Sequence, residues 1–290
     1  MWLNRYKVKL FRKSRVICLS TLIFGYAIAN GQEKILYKTT NNIELFIEKY
    51  DPPKKTNSNQ YPAMVFFFGG GWNKGSIHQF KPHAKYFSSR GFVCFLVDYR
   101  VTTRHNSTPF ESLKDAKSAF RFIRKNATQY QIDANKIVGV GASAGGQLVA
   151  AAALIDKYNE VNDDTRISAK PNVLVLFNPA IDNGPGGVGY DRVSNDYQNF
   201  SPIHNIKKDA PPTIILSGTK DELIPVATVK KYQSQMQSFS NRCDLYLYDG
   251  AKHGFFNYHK FKNYKNTLQK TDEFLQSLGY LAKTPFVEIK

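Results

Sequence analysis

Apolar and polar positions alternate near the start of the chain, over Ile35 to Tyr37 and Ile43 to Ile47, on either side of Asn41-Asn42. Alternation with period two predicts half-buried strands, and an asparagine pair suits a tight reversal, so the segment reads as an antiparallel hairpin. A polar loop from Asp51-Pro52-Pro53 to Gln60 follows. From Ala63 onward the pattern changes. Short unbroken apolar runs, Ala63 to Phe68, Val93 to Val97, Val173 to Phe177 and the run after Pro212, read as strands buried on both faces. Leu245 to Tyr248 alternates and reads as a last strand.

Between these runs the period lengthens to that of a helix. Thr108-Pro109-Phe110-Glu111 has the form of a capping box with proline at the first helical position. Leu113, Ala116, Phe120, Ile123 and Ala127 then recur at steps of three and four, one apolar stripe. Val229, Tyr232, Met236 and Phe239 make a second stripe. Phe261, Tyr264, Leu268, Thr271 and Leu275 make a third, with Gly279 placed as a C-cap. Strands alternating with helices predict an α/β fold: a mainly parallel sheet with helices on both faces. The stripes are core positions and carry no cofactor signature.

The chain's 290 residues fit one large domain. Residues 1–29 stand apart from it. Arg5, Lys7, Lys9, Arg12, Lys13 and Arg15 form a basic stretch without an acid, Val16 to Ile28 is apolar, and Ala27-Ile28-Ala29 offers small residues for cleavage. This is the layout of a secretory signal peptide, and the apolar stretch is short for a membrane anchor, the alternative reading. The expected division is a signal at 1–29 and one folded α/β domain at 30–290, in a protein exported to the periplasm or beyond the cell. Removing six basic residues and no acid lowers the net charge from +17 to +11. The mature chain stays basic, which suits attraction to acidic material or plain solubility. No nucleic-acid recognition motif is present, and no Cys/His cluster has metal-ligand spacing.

The densest chemical signal is Gly139-Val140-Gly141-Ala142-Ser143-Ala144-Gly145, preceded by Ile137-Val138 and followed by an alanine-rich helix. A serine between glycines at a strand-to-helix turn is a nucleophile elbow, with the new helix aiming free N–H groups at any oxyanion formed there. Taken alone, G-x-S-x-G also occurs in ordinary glycine-rich loops. Three further features weigh against that. Phe66 to Phe68 ends in Gly69-Gly70-Gly71-Trp72, where backbone N–H groups can approach a substrate. The strand after Pro212 ends in Gly218-Thr219-Lys220-Asp221, and Leu245 to Tyr248 leads to Asp249-Gly250-Ala251-Lys252-His253. Glycine loop, Ser143, Asp221 and His253 thus occur in that order, each just after a strand.

In these motifs the chain resembles the α/β-hydrolase superfamily over roughly positions 35 to 280, and within it the esterase and lipase branch that includes hormone-sensitive-lipase-like and bacterial acetyl (xylan) esterases. The resemblance implies Ser143 as nucleophile, His253 as general base and Asp221 as its orienting acid. It also implies an oxyanion hole from the amides of Ala144 and of Gly70 or Gly71. Glu222 and His259 are the alternative acid and base. Trp72, Tyr99 and Tyr190 are candidates for lining the alcohol pocket or for ordinary packing. Phe68 departs from the pattern, because many relatives carry a histidine there that braces the loop by hydrogen bonding. The family's strand order keeps Cys94 and Cys243 on separate strands, so both are expected as free, buried thiols. Many lipases fold a large lid between the sixth and seventh strands. Here Ala180 to Pro211 is short and polar, so it should bury little and leave the site open.

These readings imply a serine carboxylesterase without cofactor or metal, acting on short acyl esters, with acetylated xylan as the first substrate to consider. A small ester or an acylated polysaccharide is the expected partner. The competing readings are a non-catalytic glycan-binding relative and a serine hydrolase acting on another small ester, amide or lactone.

Overall fold

The computed structural model describes residues 32–56 and 60–283. The signal-segment reading, with Cys18, falls outside these residues. Eight strands, β1 (Gln32–Thr40), β2 (Ile43–Tyr50), β3 (Tyr61–Phe67), β4 (Val93–Val97), β5 (Ile132–Ala142), β6 (Val173–Phe177), β7 (Thr213–Gly218) and β8 (Cys243–Tyr248), form one sheet in the order β1-β2-β4-β3-β5-β6-β7-β8. β1 and β2 are the expected hairpin, reversing at Asn41 and Asn42, both at positive φ. β2 also pairs antiparallel with β4. From β4 to β8 every pairing is parallel.

Alternate residues of the inner strands feed two cores. Ala63, Val65 and Phe67 of β3 face one side, together with Phe120 of the helix Pro109–Lys125, Leu148 of Ala144–Leu154 and Val229 of Val226–Ser238. Met64 and Phe66 face the other, against Phe87 of Lys81–Ser89 and Leu268 of Phe261–Ser277. Both faces of the sheet are covered, which is why the strands lack polar alternation. Thr108 caps its helix through the predicted box with Glu111. Gly279, at φ +72°, closes the last helix in a Schellman arrangement: its N–H donates to Gln276 and that of Tyr280 to Leu275. The predicted stripes overrun slightly, since Phe239 and Phe261 are exposed at helix ends. Cys94 and Cys243 are free and buried, on separate strands.

The segment from Ala180 to Pro211 corrects one expectation. It forms short helical turns, Tyr190–Val193, Tyr197–Phe200 and Pro202–Asn205 among them, and no large lid. Yet it buries Ile181, Val193, Phe200 and Ile203. Phe200 meets Trp72 and Phe110 edge to face, so the few apolar residues of the segment suffice to anchor it.

Candidate active site

Parallel strands put their C-terminal ends on one edge of the sheet, and the candidate residues follow those ends in adjacent positions. Ser143 follows β5, Asn178 follows β6, Asp221 lies three residues beyond β7, and His253 lies five beyond β8. Gly69-Gly70-Gly71 follows β3 on the other flank of β5.

Ser143 has φ 51° and ψ −118°, a strained backbone for a residue with a Cβ. The strain is held in place. Its N–H donates to Phe177 O at 3.0 Å, while its own carbonyl accepts from Gln147 N and Ala180 N, each at 3.0 Å. The flanking glycine is required sterically, because a Cβ on Gly145 would lie 2.1 Å from Phe67 O. The result is a half-exposed serine on a buried helix start.

Asp221 and His253 meet, with Nδ1 and Oδ2 2.8 Å apart. The other carboxylate oxygen of Asp221 accepts the N–H groups of Leu223 and Ile224, each at 2.9 Å. Burial pushes this carboxyl upward, but the His253 contact and those two amides outweigh it and hold it below the ordinary aspartate value. With Asp221 ionised, Nδ1 carries the proton and Nε2 presents its lone pair. Nε2 lies 3.4 Å from Asn178 Nδ2, and the amide oxygen of Asn178 accepts Gly254 N–H at 3.1 Å. No hydrogen bond joins Ser143 Oγ to His253 among the described residues. Glu222 points to solvent, 3.9 Å from Lys252 Nζ, and His259 is exposed, so neither alternative reaches the pair.

The glycine loop turns sharply, with Gly70 at φ +131°, Gly71 at +63° and Trp72 at +55°. Gly70 O accepts Asn73 N and Lys74 N, each at 3.1 Å. A trans peptide holds C=O and N–H antiparallel, so anchoring Gly70 O inside the turn sends the Gly71 N–H to the opposite side. Among the described residues the amides of Gly70 and Gly71 have no acceptor, and the Ala144 amide opens a helix. The loop lies against the elbow: a Cβ on Gly69 would sit 3.3 Å from Ser143 Cβ.

Two pocket candidates are corrected. Trp72 is 1% exposed, because the run of positive φ turns its indole inward to donate to Gln147 Oε1 at 3.3 Å. Tyr99 is fully buried beneath the loop, stacked on Phe68 with ring centroids 4.1 Å apart, and its O–H donates to Phe68 O at 2.7 Å. Tyr190 remains half-exposed, edge-on to Tyr197. Residues beyond the sequence reading also enter the site. Arg192 bonds Gly71 O and Thr102 Oγ1, and Gln79 and Asn257 lie between the loops of Gly69 and His253. Asn178 could have been found by the strand-end rule that singled out Ser143 and Asp221. No cluster of His, Cys, Asp and Glu suited to a metal occurs among the described residues.

Proteins similar to this chain include esterases. The BD-FAE family model matches residues 48–182. Thermogutta terrifontis esterase 2 in its apo form superposes with a TM-score of 0.84 at 38% identity, over 88% of this chain and 97% of that one. The same enzyme in its propionate-bound form gives the same values. In sequence, the acetylxylan esterase of Xylanibacter ruminicola is 27% identical over 232 residues, 74% of this chain and 45% of its own. Esterase LipC of Mycobacterium tuberculosis is 27% identical over 67% of this chain and 53% of its own. The chain thus spans about half the length of these curated relatives.

Proposed function

As this chain belongs to the esterase branch of the α/β-hydrolase superfamily, we propose that it is a serine carboxylesterase for short acyl groups. The observation that carries the reading is the strained Ser143 elbow on the same sheet edge as the pair formed by buried Asp221 and partly exposed His253. Ser143 Oγ attacks the ester carbonyl carbon and passes its proton to His253 Nε2. Asp221 fixes the imidazole tautomer and stabilises the imidazolium. The oxyanion of the tetrahedral adduct accepts from Ala144 N–H and from Gly70 or Gly71 N–H, each donor contributing about 3 kcal/mol. The bond from carbonyl carbon to alcohol oxygen breaks, and the alcohol takes the proton from Nε2. Water then attacks the acyl-enzyme by the same steps in reverse, releasing the acid and restoring Ser143. His253 Nε2 must leave Asn178 to engage Ser143, an adjustment of the kind apo sites make on binding substrate.

The acyl group is acetyl and the alcohol a plant polysaccharide such as xylan. Similarity to an acetylxylan esterase, and to an esterase solved with propionate, supports this choice. The basic and then apolar residues 1–29 support export to such a substrate. The test is acetate release from acetylated xylan, with p-nitrophenyl acetate in parallel and Ser143→Ala as control. Release by wild type alone supports enzyme and substrate together. Cleavage of the nitrophenyl ester without acetate release from xylan discards the polysaccharide. Inactivity on both discards the esterase.

A further inference from the structure

Phe68 cannot make the hydrogen bond that a histidine would, yet the loop it opens is held on both sides of a single peptide unit. The carbonyl of Phe68 accepts the Tyr99 O–H at 2.7 Å, and the N–H of Gly69 donates to Gln79 Oε1 at 2.7 Å. That peptide lies against the nucleophile's backbone, since a Cβ on Gly69 would be 3.1 Å from Ala142 O and 3.3 Å from Ser143 Cβ. The Gly69 amide is therefore engaged with Gln79, and the donors left for an oxyanion are the next two.

Gln79 does more than accept. Its amide nitrogen donates to Asn257 Oδ1 at 3.0 Å, and Asn257 Nδ2 donates to Gly254 O at 2.8 Å. Gly254 N–H in turn donates to Asn178 Oδ1 at 3.1 Å, and Asn178 Nδ2 lies 3.4 Å from His253 Nε2. Each amide group has its oxygen on a donor and its nitrogen on an acceptor, so the chain has one consistent direction. It joins the loop after β3 to the loop after β8, two elements that lie well apart in the sheet, with β5, β6 and β7 between them.

We infer that Gln79 is a positioning residue for the oxyanion loop, acting with Asn257 to lock that loop to the loop bearing the general base. The inference rests on the esterase reading of the site. It predicts that losing Gln79 leaves substrate binding nearly intact and weakens the transition state, because the amides of Gly70 and Gly71 are then imperfectly aimed. The test compares Gln79→Leu, Gln79→Met, Asn257→Ala and the double variant Gln79→Leu/Asn257→Ala on p-nitrophenyl acetate, with rates normalised to sites titrated by a fluorophosphonate.

For Gln79→Leu we expect kcat to fall at least about tenfold, short of the roughly 10²–10³ lost when a hole donor is deleted outright. KM should stay within about twofold and the pH profile should not move, since Asp221 and His253 are untouched. Asn257→Ala should cost less, and the double variant no more than Gln79→Leu alone, because Asn257 reaches the loop through Gln79. A kcat within twofold of wild type in Gln79→Leu, or multiplicative losses in the double variant, would overturn the inference. Gln79→Met takes the place of the leucine variant if that one does not fold. Amide exchange over residues 66–75 reads the bracing without activity and should speed up in either Gln79 variant. An inactive wild type would overturn the esterase reading, whereas unchanged exchange would overturn the brace.

Discussion

Asp115 and Asp221 are both buried carboxylates bound to basic side chains, but their partners give them different work. Asp115 sits inside the helix Pro109–Lys125, and its oxygens meet Arg100 Nε at 2.8 Å, Arg100 Nη2 at 2.7 Å and Lys38 Nζ at 2.6 Å. Its partners are a guanidinium and an ammonium, so the centre acts as an ion-paired tie between elements. It ties β1 to the segment after β4 and to the helix behind the sheet. Asp221 sits on a loop at the strand ends, and its partner is an imidazole whose side chain is 26% exposed. In the mechanism proposed above, an imidazole partner that reaches solvent makes the same carboxylate part of a proton-transfer device. Burial of an acid therefore says little about its role. The partner's chemistry and the position relative to the strand ends decide it.

The sharpest test of this contrast is the same substitution at both sites. Asp221→Asn should lower kcat by about 10⁴, by analogy with triads that lose the tautomer-fixing charge, while thermal stability stays near wild type. Steady-state kinetics on p-nitrophenyl acetate beside a melting curve would show it, and retention of wild-type kcat would remove Asp221 from the mechanism. Asp115→Asn should do the reverse. It replaces the buried carboxylate by a neutral amide and leaves Glu160, 2.8 Å from Lys38 Nζ and 3.2 Å from Arg100 Nη2, to pair with both cations, at a cost of about 2–3 kcal/mol in unfolding free energy, with kcat per folded molecule unchanged. Urea titration measures the first quantity, and a loss below about 1 kcal/mol would show that the charges relax into solvent.

A buried polar group with no partner extends the comparison. His83 is fully buried among Phe80, Phe177, Phe256 and Tyr264, and neither ring nitrogen has a hydrogen-bond partner among the described residues. Desolvation pulls its pKa down to about 3 from 6.5. Between those values the unfolded chain takes up a proton that the folded one refuses, so stability is complete above 6.5 and falls as pH drops toward 3. By about pH 5 the loss from this residue is about 2 kcal/mol. His83→Phe should remove that part of the acid sensitivity, so unfolding free energies at about pH 7 and about pH 5 should differ less than in wild type. An equal difference would mean that His83 finds a way to be charged when folded. The smallest expected effect is at Tyr99→Phe, which deletes the bond to Phe68 O but keeps the stack. A net cost near 1 kcal/mol corresponds to a loss of about fivefold in kcat if it falls on the oxyanion loop. An unchanged kcat with a lower melting temperature would confine Tyr99 to packing.

Much of this was readable along the chain, for local reasons. The two periods, the capping box at Thr108, the closing Gly279 and the glycines around Ser143 depend on residues a few positions apart. Asp221 and His253 were readable because parallel strands deliver their C-terminal loops to one edge. Trp72 and Tyr99 were not. Whether a loop aromatic faces substrate or core depends on three consecutive positive φ angles and on partners such as Gln147, 75 residues further on. Gln79 and Asn257 carry no motif at all, and the bond between them spans 178 residues of sequence.

By itself, then, the sequence determined the strand–helix order, the elbow at Ser143, and the placing of Asp221 and His253 after later strands. Steric and hydrogen-bonding rules act there over one or two turns of chain. Tertiary structure alone decided which face Trp72 and Tyr99 turn to, which buried carboxylate meets an imidazole, and how a phenylalanine-led glycine loop is held. Those outcomes rest on contacts between segments brought together only when both faces of the sheet are covered, and on the tendency of buried amides and hydroxyls to find a partner.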